Sequence, residues 1–175
     1  MTDMNEELFP IVNESGETVG SAPRSVCHDG VSHLLHPVVH LHIVSRDGAR
    51  VLLQKRSMDK DVQPGKWDTS VGGHVDYGEC VREALMRESR EELGVDASSA
   101  EAVGRYVWTS PKEHELVNVH LLRVDEDDIK VNFDPVEIDE VRFWSLDELR
   151  FAVGRELLTP NFEKEFFERV LPLLE

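Results

Sequence analysis

The stretch that most constrains this chain runs from Glu79 to Gly94. Val81, Ala84 and Leu85 recur three and four positions apart, which puts them on one stripe of a helix. Gly94 follows Leu93 where a helix end favours left-handed backbone, so the spacing predicts a helix over 79–93 with Gly94 as its C-terminal cap. Continued, the same stripe reaches Glu88 and Glu92. Glu88, Glu91 and Glu92 stand at i, i+3 and i+4 and can converge on one point. Like charges at that spacing repel on a bare helix, and a divalent cation reverses the sign. Oxygen-only ligands select hard ions, Mg²⁺ first and Mn²⁺ second. Three glutamates on a helix ordinarily form a solvated face, but here they prolong the apolar stripe instead of opposing it. Arg87 has Glu83 and Glu91 one turn to either side, so it can orient Glu91 through a charge-assisted hydrogen bond.

Composition limits the partners of such a site. Thirty-five acidic residues against nineteen basic ones give a formal charge of −16, without the electrostatic footprint of a chain that tracks a nucleic-acid polymer or lies on an anionic membrane. A hydrophobic fraction of 40% is enough for a core, and the length suits one domain over 1–175. Cys27 and Cys80 give no disulfide framework. No stretch approaches the roughly 18 apolar residues of a membrane span, and the N-terminus lacks a basic region followed by an apolar one. These features give the expectation of a cytoplasmic protein.

Leu8 to Val12 and Thr18 to Ser21 read as a hairpin that opens an N-terminal extension over 1–36, with residues 23–36 irregular. Val38 to Val44 and Arg50 to Lys55 read as strands joined by Arg46-Asp47-Gly48, and Trp67 to Val71 as a short strand broken by Gly72-Gly73. Further strands are expected at 103–109, 116–124 and 141–144. Ser145 and Glu148 then form a capping box, and an amphipathic C-terminal helix covers 160–175. Strands interleaved with about three helices give an α/β class with a mixed sheet.

Gly73, then Glu79, then Arg87-Glu88-Ser89-Arg90-Glu91-Glu92-Leu93-Gly94-Val95, at their spacing, resemble the signature of the Nudix hydrolases over residues 73–95. Ser89 departs from it, standing where that signature carries an aliphatic residue. The resemblance implies an α/β/α sandwich around a mixed β-sheet, with 73–95 as a loop–helix–loop. It also implies metal-dependent hydrolysis of a diphosphate in a small molecule. It assigns Glu88, Glu91 and Glu92 to metal binding and catalysis together with Arg87, and it gives Glu79 and Gly94 structural places. Gly72 and Gly73, which permit close backbone approach, and Lys55 and Arg56 would meet the phosphates. Dimers are frequent in the family, which leaves a homodimer open.

The flanks narrow the branch. His36, Leu52 to Arg56, Pro64 to Trp67 and Ser70 to His74 are similar to isopentenyl-diphosphate isomerase and its hydrolase relatives. On that pattern His36, His74, Glu113 and Glu115 would match a second metal site, with His28 as a looser match. The isomerase's catalytic cysteine is replaced by Gly72, which cannot supply an acid or base, so hydrolysis is expected over isomerisation. A Nudix-fold module that only binds its ligand is the non-enzymatic alternative.

Overall fold

The computed structural model describes residues 6–175. Leu8–Val12 (β1) and Thr18–Pro23 (β2) pair antiparallel as a separate hairpin. Arg24–Cys27 (α1) then forms a single helical turn inside the stretch expected to be irregular. Phe9, Ala22 and Cys27 make a small core of their own beneath this extension.

The main sheet is built on His36–Ser45 (β3), a strand with all ten residues buried. Its apolar residues occur at successive positions because both faces of the strand are covered. β3 pairs in parallel with His114–Val124 (β8) along its whole length, from His36 opposite Glu115 to Ser45 opposite Val124. Two strands share its other edge. Arg50–Arg56 (β4) takes Ile43 and Val44, and Val71–His74 (β6) takes Val38 to Leu41. β4 also pairs with Trp67–Asp68 (β5) and Ile138–Ser145 (β9), and Glu101–Thr109 (β7) closes the far side of β8.

Alternation along β3 divides the interior into two layers. Val39, Leu41 and Ile43 pack with Ala84, Leu85 and Leu93 of Val81–Leu93 (α2). Val38 and Val44 pack with Val117, Val119, Phe162, Phe166 and Val170 on the opposite face. The last three belong to Pro160–Glu165 (α4) and to the wider π turn Phe166–Val170 that continues it. Leu146–Ala152 (α3) starts at the Ser145–Glu148 capping box that the spacing predicts. The result is an α/β/α sandwich around a mixed sheet. Among the described residues, no helix is long and apolar enough to cross a membrane.

The expected helix over 160–175 is α-helical only to Glu165, and two other differences from expectation bear on the site. Gly72 and Gly73 do not break a strand; they lie within β6, opposite His40 and Val39. A side chain at Gly73 would fall on the Glu88 carboxyl, so the glycine is required by the approach of α2 and not by a turn. The α2 helix begins at Val81, not at Glu79, because the Glu83 carboxylate reaches back to the Cys80 N–H (2.8 Å) and closes the first turn there. At its other end Gly94 takes the left-handed conformation (φ 67°).

Candidate active site

α2 lays its carboxylates against β6. Arg87 organises them: its Nε and Nη2 each donate to Glu79 at 2.9 Å, Nη1 donates to Glu88 (2.7 Å) and Glu91 (3.3 Å), and Nη2 also reaches the His74 carbonyl (3.0 Å). Glu79, left outside the helix, becomes a bidentate anchor for the guanidinium and accepts the Asp76 N–H as well. Glu83 is committed to the helix cap, so Glu79 and Glu88 stand where Glu83 was expected beside Arg87.

Of Glu88, Glu91 and Glu92, the last is the most constrained. Its Oε2 accepts Gln54 Nε2 at 2.8 Å and the Gly72 N–H at 3.4 Å. Burial pushes its pKa to about 8; the Gln54 hydrogen bond opposes that rise and the negative charge of Glu88 adds to it. Burial also raises Glu88, against the pull of Arg87. Glu91 stays largely in solvent. Gln54 lies inside a stretch that the sequence singles out, yet nothing in its type marks it as the partner of Glu92.

A second group forms on the other face of the sheet. One ligand atom each of His28, His36, His74 and Glu115 lie within 4.8 Å of one another. The four come from the end of α1, from β3, from β6 and from β8. His74 and His28 face each other at 3.2 Å between their Nε2 atoms, and Glu115 Oε1 is 3.8 Å from the Nε2 of both His36 and His74. Phe9, carried in by the N-terminal hairpin, stacks on the His74 ring at 4.5 Å between centroids. The Leu34 carbonyl holds His36 Nδ1 at 2.9 Å and turns Nε2 inward, where that atom is buried without a hydrogen-bond partner. Burial lowers His36 to about 4 and also lowers His74 and His28. Burial, then the charge of Glu113, raises Glu115 to about 8, against the pull of His40. Neutral imidazoles and a destabilised carboxylate around one point are what a divalent cation would relieve. Glu113 is not in this group; its carboxylate accepts Trp108 Nε1 (3.1 Å) and Ser110 Oγ (2.9 Å) and so shapes the β7–β8 turn.

Of the basic residues, Arg56 is occupied with its own loop, donating to the Val62 carbonyl (3.0 Å) and Asp68 (3.4 Å). Lys55 lies in β4 between Trp67 and Glu140. Gly72 sits between the two sets of ionisable groups, its N–H toward Glu92 and its other side toward His40. One cluster lacked an obvious sequence signal. Glu165 of α4 accepts hydrogen bonds from His40, His42 and Tyr106 in the interior. The available hint was a carboxylate on the same helical stripe as Phe162 and Phe166.

Residues 34–170 match the family model described as the NUDIX domain. An uncharacterized Nudix hydrolase, orf19, of Rhodococcus erythropolis is 30% identical over 91% of this chain and 88% of its own length. The isopentenyl-diphosphate Delta-isomerase of Clavibacter michiganensis is 35% identical over 55% of this chain, and the match takes in 49% of the isomerase, so the chain spans about half the length of that relative. Among solved structures, DR0079 of Deinococcus radiodurans superposes with a TM-score of 0.75 at 27% identity, over 94% of this chain and 99% of that one. With the α2 geometry in place, these likenesses give one conclusion: the chain belongs to the Nudix family.

Proposed function

We propose that this protein hydrolyses a diphosphate bond in a small molecule, such as a nucleoside diphosphate linked to another group, by water attack at phosphorus. The observation that supports this most is the pairing of Glu88 and Glu92 against Gly72–Gly73. Burial raises the pKa of both carboxylates there, and the charge of Glu88 adds to the rise at Glu92, while the backbone offers no side chain to fill the space between. That arrangement is unfavourable by itself and fits a hard cation, in a family whose members generally depend on a divalent metal. Glu88, Glu91 and Glu92 would hold Mg²⁺ or Mn²⁺. When bound, the ion would neutralise diphosphate oxygens and lower the pKa of a coordinated water. Arg87 occupies Glu88 Oε1 and Gln54 occupies Glu92 Oε2, so the second oxygen of each carboxylate remains for a cation or for the proton of the attacking water. Lys55 and the Gly72–Gly73 backbone would meet the phosphates.

The test is phosphate or monophosphate release from a panel of nucleoside diphosphate derivatives, dinucleotides and prenyl diphosphates, with Mg²⁺ and with Mn²⁺. Turnover that chelation abolishes supports the reading, and no turnover of any compound with either ion overturns it. A second reading, isomerisation of isopentenyl diphosphate, is favoured by the His28, His36, His74 and Glu115 group, which resembles the isomerase's metal site. Gly72 stands against it, since no side chain there can move a proton. Conversion of isopentenyl diphosphate by the purified protein decides between the two.

A further inference from the structure

We infer that His40, clamped from behind by Glu165, presents its free ring edge to a phosphate oxygen of the substrate on the far side of Gly72 from Glu92. This rests on the hydrolase reading above and adds a contact to it.

Glu165 has no exposed surface. It is held by His40 Nδ1 at 2.8 Å, by His42 Nε2 and by the Tyr106 hydroxyl at 2.5 Å. Anchoring α4 does not call for this. Phe162, Phe166 and Val170 already bury that segment against the sheet, and apolar residues usually serve such a place at least as well as buried charge. A carboxylate with three donors therefore asks for a use beyond packing.

The His40 ring is satisfied on one edge only. Nδ1 is spent on Glu165, while Nε2 has no hydrogen-bond partner among the described residues and is not among the sealed buried atoms. That edge lies over Gly72: a Cβ there would sit 3.7 Å from Nε2, so the missing side chain is what leaves room beside it. On the other side of the same residue, the Gly72 N–H points to Glu92. Asp68 of β5 lies near enough to exert its charge on both His40 and Glu92, the groups on the two sides of Gly72.

The acidic groups acting on His40 are Glu165 from α4, Asp68 from β5 and Glu115 from β8, and His74 of β6 and His120 of β8 also stand within reach of its charge. His42 on its own strand and Tyr106 from β7 share its Glu165 partner. Burial alone would lower its pKa, but Glu165 overrides this and holds it at about 9. The imidazolium so favoured carries an N–H on Nε2, which suits an anionic oxygen. Arg87 is saturated by carboxylates and Arg56 by its loop, so His40 supplies a positive charge that those two do not.

The experiment uses the full chain and inorganic pyrophosphate as the probe. With the histidine ring nitrogens followed by NMR at fixed pH, pyrophosphate with Mg²⁺ is expected to shift His40 Nε2 in the wild type. His40→Gln is expected to raise KM for the best diphosphate substrate about tenfold to hundredfold and to weaken pyrophosphate inhibition in parallel, with a smaller change in kcat. Glu165→Gln is expected to move KM in the same direction, and to weaken the pyrophosphate-induced shift of His40. If pyrophosphate leaves the His40 resonances in place, or His40→Gln lowers only the melting temperature, the contact is refuted and the cluster is a structural clamp. If the wild type turns over no diphosphate compound, the hydrolase reading falls by itself, and the NMR titration still decides whether His40 meets a phosphate anion.

Discussion

Glu88, Glu91 and Glu92 on α2 come from a run of five residues, whereas the four groups at the head of β3 come from four different elements. Helical spacing alone brings the first set together, so its geometry is local and survives as long as α2 docks. Strand register brings the second set together: His36 meets Glu115 because β3 and β8 pair in parallel, and His74 joins because β6 shares the edge of β3. His28 and the covering Phe9 depend further on the N-terminal extension. A helix can thus carry a cation site as a sequence word, while a sheet carries one only as a consequence of topology. β6 connects them, since the His74 carbonyl takes Arg87 while its ring belongs to the histidine group.

Experiments can separate the two faces. The largest effect is expected from Glu92→Gln, which should lower kcat by about 10²–10³-fold with an unchanged circular dichroism spectrum; a rate near wild type would remove Glu92 from the site. Gly73→Ala should come next. Its methyl group displaces the Glu88 carboxyl, and an error of about 1 Å at such a position costs about 10²-fold in rate, measured with saturating Mg²⁺. The opposite face is tested by His36→Gln combined with Glu115→Gln. The pair should remove one bound divalent cation per chain in equilibrium dialysis, and should reduce hydrolysis less than Glu92→Gln does. Unchanged stoichiometry would mean that the histidine group holds no metal.

Stability against pH in the presence of a chelator gives a smaller effect with a definite sign. Glu92 and Glu115, raised to about 8, contribute stability that is complete below about 4.5 and lost as pH climbs through 8. His36, lowered to about 4, contributes stability present above 6.5 and lost as pH falls toward 4. The loss from two carboxyls outweighs the gain from one histidine above about pH 4.5, so the metal-free melting temperature should peak at acid pH and fall as pH rises through 8. Glu92→Gln should flatten only the alkaline arm, and a Tm that rises steadily to pH 9 in chelator would contradict the carboxylate assignments. The smallest change is Ser89→Ala. The Ser89 hydroxyl is buried without a partner where the family signature has an aliphatic side chain, so its removal should leave stability unchanged or raise it by about 1 kcal/mol in a denaturant titration.

The difference between the two faces also explains what could be read in advance. Glu88, Glu91, Glu92, Arg87 and the Gly94 cap follow from one period and one motif, so type and position were visible together. The strands of the sheet were visible through apolar runs and turn residues, and β6 was misread because Gly72-Gly73 is usually a break and here is a clearance. The partnership of Glu165 with His40 spans 125 positions, and Gln54 meets Glu92 across 38. No local period encodes either pairing; both depend on which strand sits beside which. Glu113 was separated from Glu115 by the β7–β8 turn, whose Ser110 and Trp108 offer it closer partners than the histidines do.

The parallel pairing of β3 with β8 has a consequence for how the molecule assembles. The two strands meet residues about 80 positions apart, so their union closes a long loop and belongs late in folding, after local pieces such as the β1–β2 hairpin and α2 have begun to form. His36 and Glu115 become neighbours only at that step. A cation captured by the histidine group would therefore bind the finished topology in preference to any precursor. Added during refolding, it should slow unfolding more than it speeds folding.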